Sequence, residues 1–421
     1  MLANLTPDLD LAARVFETLR ARTHDGVGIT REAYGRGERI AHEIVLAEAA
    51  TIGLAIATDH MGNRFLTLPG ADRTAPQVIV GSHLDSVWRG GNYDGAAGVI
   101  AGLAAVAGMA RAGFTPGRDV TVMAIRAEEA GSWFPTSYPG SRGALGRLAP
   151  EELDVRRQDS GRTLAEHMAE EGFDPEAARA GRASLTRETV AAFVELHIEQ
   201  GPVLDVEGIP VGIVTGIPGS RRLRSARVLG KYDHSGATPR KYRHDAAIAL
   251  AELAHRLDEE WARLDAEGRE MVCTFCVLGT TEEAGFTKIP GEARFQLDIR
   301  SVEMANCDAL MTALYRMVPE IEARRGVRFE LGPEGGSQPG LMDAGVRDGL
   351  VTAARVLGIA HKLMPSGGGH DAAAFAAAGI PSGMLFVRNQ NGSHNPDEDM
   401  RMEDFAQAAA VLQRWMAEAA S

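Results

Sequence analysis

Residues able to bind a metal ion recur at the ends of apolar runs along this sequence, where a sheet would deliver them to a common edge. His83 lies in VIVGSHLDSV with Asp85 two residues on, and Asp94 follows in GGNYDGAAG. Glu128 and Glu129 end VTVMAIRAEE, His197 stands in FVELHIEQGP, and His394 stands in NGSHNP after MLFVRN. Imidazoles mixed with carboxylates are the donor set of Zn²⁺ and similar borderline ions. Five such ligands exceed what one open catalytic ion needs and suit two ions sharing a bridging carboxylate, about 3.5–4 Å apart. Taken singly, each residue has a plain alternative: a strand-terminal histidine is usually hydrogen-bonded structure, and a Glu-Glu pair is usually a solvated turn. Glu128-Glu129 differs because it closes an apolar strand, where two uncompensated charges are costly. Folding alone does not require the recurrence after successive strands.

The elements that must position these residues alternate in type. Gly37–Thr51 patterns as an amphipathic helix, and short strands are expected at Leu54–Ala57 and Phe65–Leu68 around a turn at Gly62-Asn63. Strands follow at Gln77–Gly81, Asp119–Arg126 and Val190–Leu196, with a Gly/Ala-rich buried helix after Asp94. This alternation predicts an α/β layer on a largely parallel sheet. From about Pro210 the rhythm changes. Strands at Ile209–Thr215, Leu223–Leu229, Met271–Leu278 and Ala293–Ile299, with helices near His244–Leu264 and Val302–Arg325, predict two helices on a four-stranded sheet. Past a Gly/Pro/Ser-rich linker at Pro333–Gly340 the α/β pattern resumes, ending in a helix at Glu403–Ala419. The expected architecture is an α/β catalytic domain, with a mostly parallel mixed sheet between helices, formed by residues 1–213 and 331–421. An α+β domain at 214–330 is inserted into it.

Bulk properties narrow the function. A chain of 421 residues with 45% hydrophobic and 24% charged residues is long enough for two domains and ordinary for a globular enzyme. Its net charge of −13 disfavours nucleic acid and anionic membrane as partners. Met1–Asp10 has no basic segment leading into an apolar core, so no secretory leader is expected. The uncharged run between Asp94 and Arg111, about 16 residues, is short of the ~20 a spanning helix needs. Three cysteines, Cys273, Cys276 and Cys307, form no disulfide framework and fit a reducing, cytoplasmic setting. The Cys273–Cys276 spacing lies in an apolar β-prone stretch, so core filling is expected there, not metal binding.

GSHLDS, YDGAAG, the Glu-Glu pair, ELHIEQGP, DHSGATP, LDIRS, SGGGHDA and SHNP occur in an order and spacing that resemble the hydantoinase/carbamoylase-type amidases. That group holds N-carbamoyl-L-amino-acid hydrolases, allantoate amidohydrolases and β-ureidopropionases, within the aminoacylase-like metallopeptidase clan. The resemblance runs from about residue 10 to the end, and ELHIEQGP is its most discriminating piece. It implies that His83, Asp94 and His197 hold one metal, and that Asp94, Glu129 and His394 hold the other, with Asp94 as the bridge. The two divalent ions per chain would be zinc by preference, with manganese, cobalt and nickel as alternatives. Glu128 matches the general base and Asp85 the acid that orients His83. Gln200, Thr287 and Arg300 match substrate-binding positions, Arg300 being suited to clamp a carboxylate. His234 matches the histidine that helps hold the reacting carbonyl; in the clan it often comes from the other subunit, which implies a homodimer through an inserted lid and dimerisation domain.

The implied reaction is hydrolysis of a carbamoyl or ureido C–N bond in a small carboxylate-bearing substrate, with a metal-bridged water as nucleophile and Glu128 as base. An N-acyl-amino-acid amidase or dipeptidase of the same clan is the alternative enzyme. A non-catalytic binding homologue is the alternative outside catalysis. Two departures bear on substrate choice. Thr287 stands where asparagine is usual before Ile-Pro-Gly, and the AGSWFP segment after Glu129 is about one residue longer, with Trp133 and Phe134 expected near the site mouth. His370-Asp371 is expected to support the site, and Arg221-Arg222 to be either solvated strand ends or a second anion contact.

Overall fold

A computed structural model describes residues 5–421; the first four residues, part of the Met1–Asp10 segment, lie outside the described residues. The chain divides into two compact units, one running up to Ile217 and resuming at Leu341–Ser421, the other spanning Pro218–Gly340.

The first unit is a mixed α/β layer. The eight strands of its large sheet lie in the spatial order Ala55–Thr58, Arg64–Leu68, Val120–Ile125, Gln77–His83, Val190–Ile198, Ser382–Val387, Val211–Val214 and His361–Met364. The centre of the sheet is parallel: Gln77–His83 pairs in parallel with the strands on both sides, and Ser382–Val387 pairs in parallel with Val190–Ile198. Alternate residues of each central strand enter different cores. Val78 and Val80 pack with the helices Leu9–Thr23, Ala96–Arg111 and Met402–Ala419, whereas Ile79 packs with Phe193, Phe375 and Phe386 on the other face. Covered on both faces, these strands carry near-continuous apolar runs.

The Ala96–Arg111 helix shows why its composition is so small-sided. A Cβ built on Gly98 would stand 2.1 Å from the Leu196 carbonyl oxygen, and one on Gly102 would touch Val80 and Val122 at 3.0 Å. The helix therefore lies almost on the sheet, and its N-terminus sits directly over the strand ends that carry His83 and His197.

The second unit is an antiparallel sheet with two helices on one face. The helix Ala246–Ala266 is started by Asp245, whose carboxylate accepts from the Ile248 N–H at 3.1 Å, and it buries Ala249, Leu250, Leu253 and Leu257 at helical spacing. The helix Met304–Arg325 ends at Gly326 in the left-handed region, φ 64°. Both pack on the alternating buried residues Ala293, Phe295, Leu297 and Ile299 of the strand Glu292–Ser301.

Three expectations change. Ile209–Thr215 belongs to the large sheet: Val211–Val214 pairs with Ser382–Val387 and His361–Met364 and is buried throughout, so it has no solvent face to alternate. The supposed linker contains a strand, Glu334–Ser337, which pairs with Ser220–Leu223; with Arg328–Glu330 it makes the second sheet five-stranded and moves the boundary from 330 to 340. Cys276 does not fill a core. It stands exposed at a bulge between Phe275 and Val277, while Cys273 is half-buried and Cys307 buried.

Candidate metal centre

Five side chains from separate elements of the first unit converge. His83 ends the Gln77–His83 strand, Asp94 precedes the Ala96–Arg111 helix, Glu129 follows the Val120–Ile125 strand, His197 lies near the end of Val190–Ile198, and His394 follows Ser382–Val387. Two donor groups result: His83, Asp94 and His197, all buried, and Asp94, Glu129 and His394, with each group's ligand atoms within 4.8 Å of one another. Asp94 belongs to both.

The inner group has the geometry of a cation site. Asp94 Oδ1 lies 3.4 Å from His83 Nε2 and 3.2 Å from His197 Nε2, and the two imidazole nitrogens face each other at 3.3 Å. Asp94 Oδ1 is buried without any hydrogen-bond donor. An orphaned carboxylate oxygen opposite two convergent imidazoles is the donor set a divalent ion satisfies, so the residues fit the implied metal. The other oxygen, Oδ2, accepts from Ser393 Oγ at 2.5 Å and Gln200 Nε2 at 2.8 Å. In the outer group His394 Nε2 lies 2.8 Å from Glu129 Oε1 and 3.5 Å from Asp94 Oδ2. His394 and Gln200 both take the left-handed backbone conformation, φ 60° and 65°.

Electrostatics follow the burial. For Asp94, burial favours the neutral acid, but His197 and His83 outweigh it and hold the carboxyl well below the usual range. Burial likewise opposes charge on His83, yet the carboxylates of Glu128, Asp85 and Asp94 hold its affinity for a proton well above normal. The hydrogen bond that His394 donates to Glu129 is the main cause raising its pKa to about 9. Glu128 is buried, its Oε2 3.8 Å from His83 Nε2. Burial is the main cause pushing its carboxyl well above the usual range; Glu129, Asp371 and Glu195 add to the rise, and His83 opposes it.

Asp85 does more than face His83. The His83 Nδ1 lies 3.0 Å from the Asp85 carbonyl oxygen and 3.4 Å from its Oδ1. The Asp85 carboxylate meanwhile accepts the backbone N–H groups of Glu128 and Glu129, both at 3.0 Å. The residues of ELHIEQGP divide their labour similarly. Glu195 accepts from Ser82 Oγ and the Ala372 N–H, both at 2.8 Å, and Glu199 accepts from the N–H groups of Val203 and Leu204. Asp371 is buried and accepts from Ser141 Oγ at 2.5 Å, while the His370 ring lies 4.5 Å from that of His197.

Trp133 and Phe134 do not line a mouth. Both are buried, Trp133 Nε1 donates to the Ser86 carbonyl at 2.9 Å, and the segment forms a helical turn, Ala130–Trp133. Two residues escaped sequence reasoning. Glu398 accepts the N–H groups of Tyr93 and Asp94 and lies 2.6 Å from Ser393 Oγ. Glu38, on the Arg36–Ile52 helix, accepts the N–H of Ala127 at 2.8 Å. Only their burial marks them, and sequence does not display burial of an acid.

Within the second unit, His234 and Thr287 are neighbours. The two-residue strand Asp233–His234 pairs with Lys288–Ile289, and the Thr287 carbonyl accepts the Ser235 N–H at 2.9 Å. His234 Nδ1 accepts from the N–H groups of Gly236 and Ala237 at 3.1 and 3.0 Å, which fixes the ring's remaining proton on Nε2. Arg300 donates to Asp298 Oδ2 through Nε (2.9 Å) and Nη2 (2.8 Å). Arg221 pairs with Asp308 and Glu334, and Arg222 shares Asp298 with Arg300.

Residues 79–418 match the model of peptidase family M20/M25/M40. The chain is 36% identical to an N-carbamoyl-L-amino acid amidohydrolase of Geobacillus stearothermophilus over 391 residues, 91% of this chain and 92% of that protein. It is 32% identical to an allantoate amidohydrolase of Bacillus subtilis, covering 88% of each. Among solved structures it resembles a hydantoinase/carbamoylase family amidase from Burkholderia multivorans, with a TM-score of 0.89, 27% identity, and 99% and 98% of the two chains covered.

Proposed function

The chain belongs to peptidase family M20/M25/M40, and we propose that it is an amidohydrolase cleaving the carbamoyl or ureido C–N bond of a small carboxylate-bearing substrate. The observation that carries this reading is the pair of donor groups joined at Asp94, with the buried Glu128 carboxylate beside them. Two divalent ions held there, zinc, manganese, cobalt or nickel, would lower the pKa of water toward neutrality and polarise the scissile carbonyl.

The chain's own groups supply the proton traffic and the orientation. Glu128 takes a proton from the attacking water. It then passes that proton to the leaving nitrogen. A carbamoyl substrate thus gives a free amine and a carbamate, which decomposes to CO₂ and ammonia. His234 donates its Nε2–H to the carbonyl oxygen as charge develops there. Arg300, its guanidinium plane set by Asp298, binds the substrate carboxylate; Gln200 and Thr287 complete the substrate contacts.

His234 is proposed to come from a second copy of the chain, in a homodimer formed through the inserted domain. The edge strand Val272–Thr280 supports that assembly, because Val272, Val277 and Leu278 are about half exposed on it and Phe286 is wholly exposed nearby. Among the described residues no helix is long and apolar enough to cross a membrane; the proposed setting is the cytoplasm.

The test is product release from a panel of N-carbamoyl, ureido and N-acyl amino acids with Zn²⁺, Mn²⁺ or Co²⁺ added. Ammonia from carbamoyl or ureido substrates supports the reading. Activity confined to N-acyl substrates would assign an acyl-amino-acid amidase instead.

A further inference from the structure

Four consecutive backbone N–H groups leading into the Glu128-Glu129 pair are each bound by a side-chain oxygen. Arg126 N–H donates to Asn63 Oδ1 at 2.9 Å, Ala127 N–H to Glu38 Oε1 at 2.8 Å, and the Glu128 and Glu129 N–H groups to the two oxygens of Asp85 at 3.0 Å. The acceptors come from three separate segments, and all are buried. At the centre of the run Ala127 has φ 59°, a left-handed conformation that a residue bearing a Cβ adopts only when its surroundings enforce it.

Glu38 is the member that folding does not call for. Its Oε2 accepts from Arg126 Nη1 and from the Tyr34 N–H, both at 2.7 Å, and Arg126 Nε is tied to the Gly62 carbonyl at 3.1 Å. A buried Glu–Arg pair of this kind is seldom more stable than well-packed apolar residues in the same space. What it does provide is direction: one carboxylate grips the side chain of residue 126 and the backbone of residue 127, on either side of the left-handed turn.

We infer that Glu38 is a positioning residue for Glu128, holding Ala127 in its left-handed conformation so that the two acids after it leave the strand end at a fixed angle. The inference rests on the reading of Glu128 as the base. Glu38 touches neither the substrate nor the donor groups; it acts through the Ala127 N–H and the Arg126 guanidinium.

The test is Glu38→Gln, whose NH₂ group must oppose a donor on one side or the other. Peptide-level hydrogen exchange should show residues 126–129 exchanging faster while the Ala96–Arg111 helix is unchanged. At saturating metal, kcat should fall about 10- to 100-fold with KM held within about threefold, the cost of a base displaced by a fraction of an ångström. The same substitution in a Glu128→Gln background should cost less than it does in the wild type, because the group it positions is already disabled. An unchanged kcat in the folded variant, or an equal loss in both backgrounds, overturns the inference. If Glu38→Gln does not fold, Glu38→Asp decides: it keeps the charge opposite Arg126 but falls short of Ala127, so kcat should drop, and a wild-type kcat sinks the idea. A Glu128→Gln enzyme with near-normal rate would instead remove the base reading itself, so the two failures are told apart.

Discussion

The Nε2 atoms of His83 and His197 stand 3.3 Å apart, both aimed at Oδ1 of Asp94. Because Asp94 also serves the second donor group, the two metal positions should be lost unequally on mutation. Wild-type protein reloaded after chelation should bind about two divalent ions per chain. His394→Ala should retain about one, and Asp94→Ala should retain less than that. Elemental analysis after dialysis reads the ratio directly, and equal stoichiometry in the two variants would refute a shared ligand.

Glu128→Gln should keep metal binding and lose about 10²–10⁴ in turnover, since the amide matches the carboxylate in shape but cannot take the proton. Near-normal turnover would place the base elsewhere.

The His394–Glu129 contact predicts a pH signature in metal-free protein. Hydrogen bonding to Glu129 raises the His394 pKa to about 9, above the ~6.5 of an unfolded histidine. The stabilisation is therefore complete below about pH 6.5 and lost as pH rises through about 9. Denaturation midpoints of chelated wild type and His394→Asn, compared between these limits, should converge on the alkaline side. A constant difference would show that the contact does not hold in solution.

Arg300→Ala should weaken transition-state binding of a free-acid substrate by about 2–5 kcal/mol, as when one member of a desolvated charge pair is removed. For the same substrate with its carboxylate amidated, wild type and variant should perform alike. Equal kcat/KM on the free acid would assign recognition to another group.

Gly98→Ala is predicted to destabilise by about 1–3 kcal/mol, because the new methyl would stand 2.1 Å from the Leu196 carbonyl and force helix and sheet apart. Gly113→Ala, with nothing within 4 Å but φ 65°, serves as the comparison: it carries backbone strain without a clash. Equal denaturation midpoints for the two would show that close approach is not what keeps Gly98.

His83, Glu129 and His197 are legible because each stands at the end of an apolar run, and Asp94 and His394 because they stand in glycine-bearing loops beside such runs. The large helices and most strands were legible for the same reason. What failed was tied to context. Val211–Val214 was grouped with its sequence neighbours, since a strand buried on both faces offers no alternation to say which sheet it enters. Glu334–Ser337 reads as a linker because an exposed edge needs only backbone pairing, for which glycine and serine suffice. Trp133 reads as a mouth residue because an exposed loop is where the sequence places it, but its indole N–H donates to the Ser86 carbonyl. Glu38 lies about ninety residues before the acids it braces, and a single glutamate on an amphipathic helix carries no mark of its partner.

The place of the Ser382–Val387 strand sets an order on the birth of the molecule. It wedges between Val190–Ile198 and Val211–Val214, so the middle of the large sheet stays open until the chain has been synthesised past Val387. The intervening Pro218–Gly340 unit has a buried core built from its own residues, so its contacts do not wait for that strand. His394 emerges only a few residues after the closing strand. A chain that ends before Ser382 thus lacks the middle of its large sheet and His394 together.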